Sequence, residues 1–258
     1  MLLALLVLIS GYGYIISCTH DNSVPPPAVV TAIKYTPGTG VFLPGNMTAG
    51  NANEWKLDKV HSSCLWQSSY KGAAGLLTGR FNQFGMHNVL PAEMTLYPAS
   101  GQPLKDTGWA FYEGDDSKTY FNGYVQINTS NTGESGRDTG CNISGTGTVK
   151  ISSYPGQYNL QVNNLAKLQT TKVQFDPSTG DYIVTFNLTW QGLLTTPLTK
   201  SLTGILKYVK RATIAGTAPY DVFGFKLNFQ FNVRDFGVTS TSIGDNMEIE
   251  CNMNFNNR

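Results

Sequence analysis

Few residues in this chain combine types and spacing that could do chemistry. His61 stands in "DKVHSSCLW", where a general base would need an activated nucleophile beside it, and no obvious one is near in sequence. The bland reading is a hydrogen-bonded histidine at a strand end. Arg137 and Asp138 in "NTGESGRDTG" read either as a turn held by a local charge pair or as an arginine meeting a polar head group at a cavity mouth. "DFG" at 235–237 imitates a kinase element, but no catalytic-loop motif or lysine strand accompanies it. The histidines are His20, His61 and His87, and no two share metal-ligand spacing. No cysteine pair has the short spacing of a zinc site, so neither a metal nor a cofactor is expected. His61 and Arg137 would be the only candidates in an enzyme, and none is expected.

Composition points the same way. Charged residues make up 14% of the chain against roughly 25% in ordinary globular proteins, and the formal net charge is +1. Asn, Thr, Ser and Gly take the place of the missing charge, a mixture that suits strands and turns. Nothing basic enough to bind nucleic acid is present.

The elements that must position any site are strands. In "YDVFGFKLNFQFNVRDFG" every odd residue from Phe223 to Val233 is apolar and the alternate ones are polar. Fifteen residues from Tyr220 to Arg234 would extend roughly 50 Å, too long for a flat sandwich strand, and Gly224 is the expected bend. "DYIVTFNLTW" puts Tyr182, Val184, Phe186, Leu188 and Trp190 on one face, and "NMEIECNMNF" does the same with Met247, Ile249, Cys251, Met253 and Phe255. Phe121, Gly123, Val125 and Ile127 alternate likewise. "KVQFDPSTGDYIVTF" predicts a hairpin. No long stretch has helical period, so helix is expected only as a turn or two near "NNLAKL" or after Cys141. A sandwich or an antiparallel barrel satisfies this pattern, and the long strand favours the barrel. The phenylalanine row then faces inward, onto a filled core or onto a ligand.

The N-terminus reads as a targeting segment. "LLALLVLISGYGYII" is apolar, and "IISC" resembles a bacterial lipobox, which implies cleavage before Cys18 and a lipid on its sulfur. Nothing basic precedes the apolar run. An ordinary secretory signal or a retained anchor remains open. Residues 1–17 are thus expected to be a lipoprotein signal, 18–52 a Pro/Gly-rich tether, and 53–258 the folded domain. Of the remaining cysteines, Cys64 and Cys251 share inward parity on the first and last strands of an up-and-down barrel. A bridge between them is left open beside two buried thiols.

Several motifs together resemble the YceI-like family. They are Asp58, His61 and Ser62 with Gly79 and Phe81; "NTSNTGESGRD" with Arg137–Asp138; "LTWQGLLTTPLTK"; and "RDFGV" with "IGD" before the last strand. The resemblance covers Trp55 to Phe255. It implies a lipocalin-like, antiparallel up-and-down β-barrel with an elongated hydrophobic interior and little helix. It also implies non-catalytic binding of an isoprenoid, isoprenoid quinone or other amphiphilic lipid. Two features depart from the family. Gly140-Cys141-Asn142 follows Arg137–Asp138 where a His-Leu and an aromatic pair are usual, and the 86–120 segment is long. Trp109, Phe111 and Tyr112 in that segment are the expected replacements.

The expected cavity lining is Trp66, Phe81, Phe186, Trp190, Phe225, Leu227, Phe229, Phe231, Ile249 and Met253, with His61 and Arg137 at the mouth. The expected partners are a lipid and, through Cys18, an envelope membrane facing the periplasm or cell surface; a homodimer is left open. The alternative function is a surface interaction scaffold with a filled core and a contact loop at 86–120.

Overall fold

The computed structural model describes residues 42–44, 56–70, 75–86, 109–112, 115–134, 165–241 and 243–257. The expected signal and Cys18 lie outside the described residues, as do Arg137, Asp138 and Cys141; of the expected tether only 42–44 are described, and they form a short strand paired with Ala110–Tyr112. Every described residue belongs to one compact unit.

The strands are β1 (Phe42–Pro44), β2 (Lys56–Leu57), β3 (Ser63–Ser69), β4 (Leu76–Phe81), β5 (Phe84–Gly85), β6 (Trp109–Tyr112), β7 (Tyr120–Gln126), β8 (Ser130–Asn131), β9 (Leu165–Asp176), β10 (Asp181–Trp190), β11 (Leu198–Ile214), β12 (Tyr220–Asn232) and β13 (Asn246–Asn256). Strands β9 to β13 pair in chain order, each antiparallel to the next. Strand β13 then pairs with β3, and β3 with β4. The stretch from β7 to β8 joins the two remaining edges: β7 pairs with β9, while β8 pairs with β4 and β5 pairs with β7. The ring reads β3, β4 with β5, β7 with β8, β9, β10, β11, β12 and β13, eight staves in all. This is the expected antiparallel up-and-down barrel, and closing it leaves each of these staves a partner on either side.

The β4/β5 to β7/β8 wall is thin. Its two short ladders are separated by a 3-10 turn at Ile127–Thr129. Across that gap Asn82 N donates to Thr129 O, Gln126 N to Gln83 O, and Gln83 N to Thr129 Oγ1. Two aromatic rings stiffen the region by lying over cross-strand glycines. Trp66 faces Gly79 and Tyr124 faces Gly85, and a Cβ at either glycine would stand 2.6 Å from the ring. The Trp66 indole N–H donates to Ser130 Oγ at 2.8 Å, tying β3 to β8.

The long strands follow the alternation of their sequences. Phe223, Phe225, Leu227 and Phe231 are buried, with Phe229 half-buried between them; Tyr182 to Trp190 bury alternate residues on β10. The bend at Gly224 is present: its partner on β11 is Val209, and the β11 register slips by one residue immediately beyond. A Cβ at 224 would stand 3.0 Å from Met253 O, so this close approach favours glycine. Strand β12 ends at Asn232, two residues earlier than expected, because Val233–Phe236 form a 3-10 turn. Strand β11 is longer than its sequence suggests. The expected helical turn near "NNLAKL" is corrected: Leu165 to Leu168 begin β9, where pairing with β7 and β10 overrides local propensity. Among the described residues no helix is long and apolar enough to cross a membrane.

Candidate functional site: the apolar chamber inside the barrel

The phenylalanine row of β12 runs down the barrel interior. At one end, strand β6 folds over the core and plugs it. Trp109 sits 4.4 Å from Phe255 and 5.6 Å from Phe223, ring centre to ring centre. Phe111 stacks on Tyr208 at 4.5 Å and meets the edge of Tyr182 at 5.6 Å. Phe223 and Phe255 stack almost parallel at 4.6 Å. Of the three aromatics singled out in 86–120, Trp109 and Phe111 are buried and belong to the core, and Tyr112 is half-buried.

The other end is closed by Trp190, Phe231 and Phe236. Phe236 lies 5.1 Å from Trp190 and 5.6 Å edge-on from Phe231. Here three of the family-like motifs come together, and their work is structural. Gly192 has φ +58°, and a Cβ there would clash with Phe236 O; Leu193 N donates to that same oxygen at 2.9 Å. Gly237, at φ +76°, ends the 3-10 turn. Lys200 pairs with Asp235 at 3.1 Å. Arg234 donates to Val238 O, Ser240 O and Ile243 O and pairs with Asp245 at 3.0 Å, so one guanidinium ties down the loop before β13.

Between the two ends lies a chamber of about 70 Å³. Phe225, Leu227, Phe229 and Phe231 of β12 line it, with Trp190 of β10, Phe81 of β4, and Ile249 and Met253 of β13. These are eight of the ten lining residues expected from parity. Trp66 and Phe186 are buried but do not line this chamber; Trp66 lines a second, larger space that shares Phe229 and Ile249 with it. Trp66 is held over Gly79, and Phe186 packs edge-on against Phe229 at 4.8 Å. Sequence reasoning missed Phe84, Gly85 and Met86, together with Tyr124, on the thin wall. The first three are too few residues to show a period, and Tyr124 falls on the parity assigned to the outside. No charged side chain lines the chamber.

His61 is also corrected. Its side chain is 73% exposed and does not line the chamber. Its Nδ1 lies 2.8 Å from Asp58 Oδ2. Asp58 accepts in addition from Val60 N, His61 N and Asn256 Nδ2. Ser62 Oγ donates to Asp58 O at 2.6 Å and accepts from Asn254 N at 2.9 Å. The Asp-x-x-His-Ser run is thus a knot that pins the start of β3 to the end of β13. Partial burial pushes the Asp58 carboxyl up, but the hydrogen bonds and charge of His61, with Asn256, outweigh it and leave the carboxyl below its ordinary value. Among the described residues no group of His, Cys, Asp and Glu could hold a metal.

Cys64 and Cys251 face each other across the β3–β13 ladder with their sulfurs 3.5 Å apart, and both line the chamber. The hydrogen bond to Cys251, and burial, push the Cys64 thiol well up.

No family model matches the chain, and no curated protein matches it. Among solved structures, BcnA of Burkholderia cenocepacia is 11% identical, covers 77% of this chain and 99% of its own, and superposes with a TM-score of 0.43. A YceI protein of Campylobacter jejuni is 14% identical, covers 73% of this chain and 88% of its own, and has a TM-score of 0.43. The barrel described above rests on its own strand ladder.

Proposed function

We propose that the barrel binds an apolar or amphiphilic chain of isoprenoid, isoprenoid-quinone or fatty-acyl type, without catalysis, as a carrier or buffer tethered to a bacterial envelope membrane through Cys18. The observation that supports this reading is an uncharged chamber in the middle of an otherwise packed aromatic interior. A water-sized group needs roughly 10–15 Å³ of such space, so the chamber takes about five, the heavy-atom count of one prenyl unit. Burying one such unit is worth about 4 kcal/mol at ~0.8 kcal/mol per carbon, before ordering costs. Tight binding of a longer chain therefore needs more room. The second space, of about 870 Å³, which shares Phe229 and Ile249 with the chamber and is lined by Trp66 and Gly79, is where a longer chain would extend. Selection is by bulk and chain length, since no charged side chain lines the chamber to read a head group.

The test is organic extraction and mass spectrometry of protein purified from its own membrane, beside a Phe229→Trp/Phe231→Trp variant. The expected result is a stoichiometric prenyl or acyl species that the folded variant lacks. Clean protein carrying only an anchor on Cys18 would overturn the reading and favour the alternative, a filled barrel acting as an interaction scaffold.

A further inference from the structure

We propose that Cys64 and Cys251 are an oxidisable pair whose disulfide staples the first stave of the barrel to the last. In an up-and-down barrel the first and last strands are the one neighbouring pair that no connecting segment of chain joins directly. Here they are β3 and β13, with five residue pairs, while β12 against β13 has eleven. Cys64 and Cys251 are one of the five, in the wall of the chamber. Directly opposed residues of an antiparallel ladder have Cα atoms about 4.5 or 5.5 Å apart, and both spacings fall within the range a disulfide spans. The sulfurs already touch at 3.5 Å, so bond formation asks for side-chain rotation and little backbone movement.

The two sulfurs are not equivalent. Cys64 is buried, while Cys251 is half-buried. An incoming disulfide is therefore attacked by Cys251 in its thiolate form. One thiol of the oxidant leaves, and a mixed disulfide remains on Cys251. Cys64 then loses its proton, attacks the Cys251 sulfur and expels the second thiol. The pair gives up two protons and two electrons, and the oxidant is reduced to two thiols. This inference does not depend on what the chamber binds.

Full-length protein, purified reduced and equilibrated with oxidised glutathione, tests it. Peptide mapping without reductant should find the Cys64 peptide joined to the Cys251 peptide. The Tm should rise by roughly 5–10 °C over the reduced protein, because the bond closes a very long loop. Cys64→Ala and Cys251→Ala variants should each show no such rise. Two free thiols after equilibration would overturn the proposal. So would a glutathione retained on Cys251, or a bond made to Cys18 or Cys141 instead.

Discussion

The two stretches of the β12 phenylalanine row face different interiors. Phe223 meets Phe255, Trp109, Phe111 and Tyr208 at centre-to-centre distances of 4.6 to 6.3 Å, a continuous aromatic stack. Phe229, six residues on, meets Phe186 on one side and the chamber on the other. The two have the same chemistry and the same parity on the same strand. What distinguishes them is a third element. Strand β6 delivers Trp109 and Phe111 to the first stretch, and no described element delivers an equivalent to the second. Alternation assigns a face; it does not say how completely that face is covered.

The sharpest way to break this comparison is truncation. Trp109→Ala should cost about 3–5 kcal/mol, because it removes the ring that fills the plugged end. Phe229→Ala should cost about 2 kcal/mol or less, since part of its surface already borders empty space. Urea unfolding of both variants measures the difference. Equal losses would mean that the chamber wall is as tightly packed as the plug.

Filling should act with opposite sign at the two places. Ala166 lines the chamber near the start of β9. Ala166→Val adds two methyl groups where there is room, and should stabilise by about 1 kcal/mol while reducing the amount of any co-purifying lipid. Phe223→Trp adds bulk where rings already stack, and should destabilise by about 1–3 kcal/mol. Thermal unfolding decides both; a destabilised Ala166→Val protein would remove the evidence that the chamber is spare volume.

How much of this was legible beforehand follows the same division. The long strands could be read because burial on one face writes period two into many consecutive residues, and Gly224 marked their bend. Eight of the ten expected lining residues line the chamber for that reason. The closure was not legible. Strands β5 and β8 have two residues each and carry no period, and their places are set by ladders to partners far along the chain. Trp66 and Phe186 lie off this chamber because parity separates inside from outside but does not say which interior space a residue borders. His61 was legible as a hydrogen-bonded strand-end histidine but not as a residue of the mouth: Asp58, His61 and Ser62 spend their hydrogen bonds on one another and on β13. The lipid anchor, most of the tether and Arg137 fall outside the described residues.

That knot gives the smallest expected effect, and it separates the plugged end from the rest of the barrel by pH. Because the Asp58 carboxyl sits below its ordinary value in the folded protein, its contribution is present above the unfolded value of about 3.9 and is lost as pH falls through the lower folded one. Asp115, Asp176 and Glu250 are also held low, chiefly by hydrogen bonds from Lys118, Ser178 and Asn252. The acid slope of the native protein is therefore a sum over several carboxylates. Asp58→Asn isolates one of them: its Tm should lie below that of the native protein at neutral pH, and the gap should narrow as the pH is taken below 4. His61→Ala should shrink the same gap by removing the Nδ1 donor. A gap constant from pH 7 down to 3 would show that the Asp58 charge contributes nothing, and that the knot at this end holds by its backbone hydrogen bonds alone.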